Sequence, residues 1–443
     1  MVDLPIYYFL SAGLATVLAI FGFVNLRKSW GLPYLAVVFT ISVWYLTEPF
    51  YSPGEFLYFN SEHVEKAYEA VFISLLTFSA LAPVMTNLLR PKQGSRVQIA
   101  QFSPEDAFPY VVMLWLLLLA YGTFRLQGDL FAALFPIGAR SGAGMWSRPA
   151  GAGGGSDAFI VSTASYLYTL CLAAFGILLT LMRRNLYTVL ALVLIAISWP
   201  FAFLQGSRNI VLAIALPTLL SFLFFSKQSL AIKALVTVSA FAALELLFRV
   251  IINYRNIGFA NLNITDVVGI REAKSSQPHL GLNMASELVY CIQYISDRTI
   301  EVAYGGRYIT ELVNFIPRAI WPNKPEIGID DAMARGYGGA TNDTGLVSTI
   351  STGMIGGGVL NFGLLFGPIM VGLLMGIWVG VLSRFRSQGT ALRIILFLVG
   401  LGLTFNLGRD ISLLVLWPLV FGYIAVRLLE AKKPNRTTPP KIT

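Results

Sequence analysis

The sequence predicts an all-α, polytopic membrane protein. It has about eleven transmembrane helices, twelve if one near the N-terminus is merged, and one large extracytoplasmic loop. Three observations carry this. Of 443 residues, 56% are hydrophobic and only 12% are charged, about half the charged share of an ordinary soluble domain. The mean hydropathy is +0.68. Apolar stretches of about 20 residues, the length that crosses bilayer hydrocarbon as a helix, recur along the chain.

The stretches lie at about 5–26, 32–51, 68–89, 109–126, 158–182, 186–204, 209–226, 229–251, 359–383, 391–407 and 411–427. The first has no basic region before it and no small-residue cleavage site after it, so it reads as a span and not as a signal peptide. Every second connection is basic. Arg27 and Lys28 follow the first span, and Arg90, Lys92 and Arg96 the third. Arg183 and Arg184 follow the fifth, Lys227 and Lys233 flank the turn after the seventh, Arg384, Arg386 and Arg393 follow the ninth, and Arg427, Lys432, Lys433 and Arg436 the last. Basic loops stay in the cytoplasm, which places the N-terminus outside and the C-terminal tail inside. The net charge of +9 is accounted for by these loops, and no basic face with interleaved aromatics argues for nucleic acid.

The chain divides into an N-terminal bundle (1–251), a large loop (252–358), C-terminal spans (359–430) and a tail (431–443). The outer connections are Ser52–Lys66, Gln127–Asp157, Gln205–Asn209, Asn253–Gly358 and Asn406–Asp410. A loop of about 100 residues among short turns is usually functional. It reads as a helix over 280–304, an amphipathic interfacial turn over Glu311–Trp321, and a segment at 344–358 small enough to re-enter the membrane. Cys171 lies in a span and Cys291 in the large loop, so neither a disulfide nor a Cys/His metal site is expected. No internal repeat, P-loop, nucleophile elbow or other cofactor motif is present, and no cofactor is expected.

The chemistry-bearing residues are outer arginines: Arg208 in QGSRN, Arg249 and Arg255 in FRVIINYRN, Arg318 with Lys324 beyond it, and Arg409 in NLGRD. All fall at the membrane face where positive charge is avoided. Arginine forks bind phosphate oxygens bidentately and keep their charge, so several converging ones suit an anionic, pyrophosphate-bearing ligand. The structural alternatives are an i,i+4 pair between Glu245 and Arg249 and a pair between Arg409 and Asp410. Asp410 and His279 are the candidate bases, against a salt bridge for the first and a merely solvated side chain for the second.

The motifs NFIPRAIWPNKP (314–325) and TGLVSTISTGMIGGGVLNFGLLFGP (344–368), with QGSRN (205–209) upstream, resemble those of oligosaccharide repeat-unit polymerases of the O-antigen polymerase (Wzy) type. The motifs cover about a tenth of the chain, and the architecture agrees over most of it. The N-out topology departs from the usual description of that family, in which both termini are cytoplasmic. The resemblance implies a GT-C-like glycosyltransferase of the bacterial inner membrane, with its active site facing the periplasm. Such an enzyme transfers a growing glycan from polyprenyl pyrophosphate to the non-reducing-end hydroxyl of a new lipid-linked unit. It implies polyprenyl-pyrophosphate-linked oligosaccharides as partners within the bilayer, and a chain-length regulator and a flippase beside it. On this reading Arg208, Arg249, Arg255, Arg318, Lys324 and Arg409 contact substrate, with Arg318, His279 and Asp410 nearest the chemistry. A lipid-linked glycan ligase shares the donor and is the nearest alternative. A transporter or flippase is the alternative from another class, but transporters tend to carry repeats and midplane charges.

Overall fold

The structure, a computed structural model, describes residues 4–90, 102–138, 144–146, 158–183, 186–254, 258–261, 283–313, 316, 320–321, 334, 351–409 and 413–432. No strand occurs among them. In lipid, helices satisfy every backbone polar group internally, and the composition leaves no other open arrangement.

In chain order the helices are α1 (Ile6–Val24), α2 (Gly31–Ile41), α3 (Glu48–Tyr51), α4 (Pro53–Phe56), α5 (Ser61–Leu88), α6 (Pro104–Arg125), α7 (Leu130–Leu134) and α8 (Ala158–Leu181). There follow α9 (Leu186–Leu204), α10 (Arg208–Phe225), α11 (Leu230–Tyr254), α12 (Met284–Ser296), α13 (Gly306–Val313), α14 (Gly353–Gln388), α15 (Ala391–Leu407) and α16 (Leu413–Lys432). Among the described residues nine segments are long and apolar enough to cross a membrane. The apolar helices α15, of 17 residues, and α16, of 20, complete the bundle.

Contacts fix which ends lie together. Tyr8 of α1 donates to the Leu46 carbonyl (3.0 Å) and meets Tyr68 of α5 edge-on (5.1 Å). At the opposite ends Phe21 meets Tyr34 (5.7 Å) and Tyr34 meets Phe78 (4.7 Å). So α1 and α5 run parallel, with α2 antiparallel between them. The end holding Tyr8, Leu46 and Tyr68 is the one that the distribution of basic loops leads us to expect outside, and it is called the outer end below.

The tightest pairing is α14 on α5. Gly372, Gly376 and Gly380 recur every fourth residue and face α5: a Cβ at Gly372 would lie 2.9 Å from the Ser74 carbonyl oxygen, and one at Gly380 2.9 Å from that of Met85. Small residues at this spacing let two membrane helices approach backbone to backbone.

Besides shifts of up to seven residues at the ends of other helices, three elements differ in shape from the sequence reading. The second span is not one straight helix. It becomes a π-helix over Ser42–Leu46 and breaks before Glu48, because Pro49 cannot accommodate the carbonyl four residues earlier. The loop helix expected over 280–304 ends at Ser296, where Arg298 takes φ 54° and the Thr299 amide turns back to the Tyr294 carbonyl (2.9 Å). The ninth span, expected from 359, is entered through a sharp reversal. Gly363 adopts φ 77° and ψ −177°, which breaks α14 into 353–362 and 364–388. A Cβ at Gly358 would lie 2.7 Å from the Gly367 carbonyl oxygen. Residues nine apart in a straight helix are about 13 Å apart, so 353–362 folds back along 364–388 as the short arm of a helical hairpin.

At the inner end Arg393, counted from sequence as a loop charge, is 1% exposed. Its Nε donates to Glu430 Oε1 (2.9 Å), a second nitrogen donates to Oε2, and the guanidinium lies over the Tyr423 ring at 4.9 Å. This clamp ties α15 to α16. Arg386 donates to the Lys28 carbonyl (3.2 Å), and the hydroxyls of Ser29 and Ser383 share a hydrogen bond (2.7 Å), which ties the first inner turn to α14.

Candidate functional site

The outer end of the bundle is built from helix termini held by bundle side chains. Glu48 is 0% exposed. Its Oε2 accepts the amides of Ala285 (2.9 Å) and Ser286 (3.1 Å), the first orphan donors of α12. A carboxylate there satisfies both donors and complements the positive end of the helix. Its other oxygen, Oε1, is buried without a hydrogen-bond partner.

Tyr45 sits one turn earlier, in the π-helix, and is fully buried. Its hydroxyl donates to the Gly408 carbonyl (3.2 Å) and accepts from the Ile355 amide (3.1 Å). It therefore joins the end of α15 to the first turn of the hairpin arm. Trp44 supports the junction by donating to the Phe405 carbonyl (2.7 Å). Gly353 takes φ 70° here, and a Cβ would lie 2.4 Å from the Tyr45 hydroxyl, so only glycine fits. The arm then organises the next helix. Asn361, 1% exposed, accepts from the Arg307 amide (3.1 Å) and the Tyr308 amide (3.4 Å) at the start of α13, and donates to the Gly357 carbonyl (2.8 Å).

Arg409 follows Gly408 directly. It is half-buried, and its Nε is buried with no hydrogen-bond partner. Among the described residues it makes no ion pair. A guanidinium does not discharge by losing its proton, so a half-buried one calls for an anion. Asn406, 6% exposed, likewise holds its amide nitrogen buried without a partner.

Register brings Arg208 to the same level. Helices α8 and α10 run parallel, with Thr218 against Gly176 and the Thr180 and Ser221 hydroxyls bonded. Helix α15 starts at the inner end, where the Ala391 amide meets the Phe102 carbonyl (3.2 Å), and so runs against α10. A Cβ at Gly402 would lie 2.6 Å from the Pro217 ring. From that crossing Arg208 is nine residues outward and Arg409 seven, about 13 and 10 Å at 1.5 Å per residue.

Below this level an apolar cavity of about 350 Å³ enters the bundle. Tyr308, Glu311 and Leu312 of α13, Trp378 of α14, Leu407 of α15 and Leu416 of α16 are among its walls. Leu407 is two residues from Arg409. Ile309 and Leu312 of α13 expose apolar surface, at 56% and 48%, as does Trp321 beyond it, at 39%, the arrangement of a membrane-surface helix.

Of the residues singled out from sequence, Arg208 and Arg409 lie at a similar depth on helices that pack together. Arg249 does not join them. It pairs with Glu245 on an exposed face of α11. Arg255, His279, Arg318, Lys324 and Asp410 lie outside the described residues. Glu48 and Tyr45 escaped the sequence reading, although an acid inside an apolar span is a functional signal in its own right. No protein-family profile, no curated protein and no solved structure matches the chain.

Proposed function

We propose that the protein is a membrane glycosyltransferase that polymerises glycan repeat units carried on polyprenyl pyrophosphate. The observation that carries this reading is one path through the molecule. An apolar cavity leads toward a level where Arg409 has no ion-pair partner among the described residues and Arg208 lies at a similar depth on the adjoining helix. A long apolar tail with a doubly charged head matches both parts.

On this reading α15 and α16 are spans, which brings the total to eleven, in a GT-C-like arrangement. The polyprenyl tail lies in the cavity, and the pyrophosphate meets Arg409 and Arg208. The glycan extends outward beneath α12 and α13, facing the periplasm from the inner membrane. The bond from sugar C1 to the pyrophosphate oxygen breaks, the acceptor hydroxyl oxygen bonds C1, and its proton passes to a base. Neutralising the leaving pyrophosphate is the main catalytic need, and holding donor and acceptor in one bundle supplies proximity. Glu48 is a positioning residue, since its carboxylate is committed to α12. His279 and Asp410 remain the proposed bases, with Arg318, Lys324 and Arg255 as further anion contacts. Arg249, paired on α11, drops out of this set. A chain-length regulator and a flippase are the proposed neighbours in the membrane.

The test is a gel of surface and lipid-linked glycan from a clean deletion strain beside its parent. Collapse of the ladder to a single repeat unit is expected. Lipid-linked polymer that builds up without reaching its final acceptor would make the protein a ligase. Unchanged glycans would overturn both readings.

A further inference from the structure

Helix α11 is the least covered span. Only 6% of the apolar 18-residue stretch within Leu230–Ile251 is buried inside the protein. Its packed side carries Lys233, Thr237, Ala240 and Leu244; its open side carries Val238, Ser239, Ala242, Glu245, Leu246 and Arg249, all exposed. These six recur at spacings of three and four, one continuous face of a helix.

The anomaly is Glu245. It lies six residues from the outer end of the span, about 9 Å down at 1.5 Å per residue, and its side chain is 66% exposed. Ionisable side chains inside a membrane almost always face protein or a water-filled cavity. Arg249, 54% exposed and pairing with Glu245, is long enough to reach headgroups by snorkelling. Glu245 is too short to do so. The pair also leaves capacity unused, because a guanidinium has five donors and a carboxylate about four acceptor sites.

We propose that this face of α11 is covered by the same face of a second copy of the chain. Two copies related by a two-fold axis along the membrane normal place identical residues at identical depth, and such an interface is self-complementary. Arg249 of each copy then meets Glu245 of the other, closing a ring of four charges out of contact with lipid. Ala242 and Ser239, about one and two turns inward, are small enough for the two backbones to approach. Another membrane protein would have to present the matching acid and base at the same depth; a second copy does so by construction.

The test uses the full chain in native membranes. Ala242→Cys is oxidised and run without reductant, beside wild type, whose Cys171 and Cys291 are buried, and beside Ala240→Cys on the packed side. A band of twice the chain mass from Ala242→Cys alone is expected. Glu245→Arg should remove most of that band at unchanged protein level, and Glu245→Arg with Arg249→Glu should restore it. No dimer band from protein present at wild-type level, or crosslinks only to other proteins, would overturn the proposal. The assay is independent of glycan synthesis.

Discussion

Gly358 and Gly367 are nine residues apart in the chain, yet a Cβ on either would fall within 2.7 Å of the other's backbone. The hairpin at Gly363 closes on this contact, and with it the arm that carries Gly353 to Tyr45 and Asn361 to α13. Gly358→Ala should therefore force the arms apart. Overpacking of this kind costs about 1–3 kcal/mol, and on the proposed function polymer length should collapse with it. Gly357→Ala is the control, since its nearest neighbour would be 3.7 Å away. A thermal melt of purified protein separates the two. Equal melting temperatures would remove the hairpin contact as a constraint.

Glu48 caps α12 from the bundle, accepting the Ala285 and Ser286 amides. Glu48→Ala leaves the Ala285 and Ser286 amides unsatisfied, a cost of about 1–3 kcal/mol, and amide exchange in the first turn of α12 should accelerate. Glu48→Gln keeps an acceptor oxygen and should recover most of the protection. If exchange in α12 is the same in all three proteins, Glu48 does not hold the helix.

Arg393 and Glu430 make the opposite kind of pair, buried on both sides. Removing one partner of a buried ion pair typically costs about 3–5 kcal/mol, whereas replacing both by apolar residues is often neutral. Arg393→Met should melt far below wild type, and Arg393→Met with Glu430→Leu close to it. A double variant as unstable as the single would mean that the Tyr423 and Phe385 rings, and not the carboxylate, set the requirement for a cation.

The spans are legible in the sequence because each is a local property: about 20 apolar residues and a basic flank on alternate sides. The connection between Arg208 and Arg409 is legible only as a shared membrane depth. That their helices pack side by side depends on Gly402 meeting Pro217, a contact between helices almost 200 residues apart that no periodicity announces. Glu48 is hidden for another reason. Its span is apolar enough to absorb one acid without losing its hydropathic signature, so the charge is averaged away. Gly372, Gly376 and Gly380 do carry a readable signal, glycine at every fourth residue of a span, which by spacing alone marks a packing face. The reversal at Gly363 cannot be read in this way, because a run of glycines is equally compatible with close packing and with a turn.

Arg409 should matter through its fork as well as its charge. Hydrogen bonds to charged groups contribute about 1.5–3 kcal/mol, so Arg409→Ala should lower kcat/KM for a lipid-linked donor by about 10- to 150-fold at 1.4 kcal/mol per decade. Arg409→Lys keeps the charge but loses bidentate geometry and should recover only part of the activity. If Arg208 shares the same phosphate group, the two alanine substitutions together should cost less than the sum of their separate effects. Full additivity would place the two arginines on different ligand groups.

The cavity wall gives the most selective test of the lipid path. Leu374→Trp and Val381→Trp both push an indole into the deeper part of the space between α14 and α16. If a polyprenyl tail lies there, filling the space should raise KM for a long-chain donor. It should change KM little for a donor whose lipid is truncated to two or three isoprene units, because each buried methylene contributes about 0.8 kcal/mol and the short tail never reaches the obstruction. Loss of activity with both donors would point instead to disturbed packing around Trp378, whose indole nitrogen donates to the Thr404 hydroxyl (3.0 Å). Unchanged KM with the long donor would move the tail out of this cavity and leave Arg409 to be explained without it.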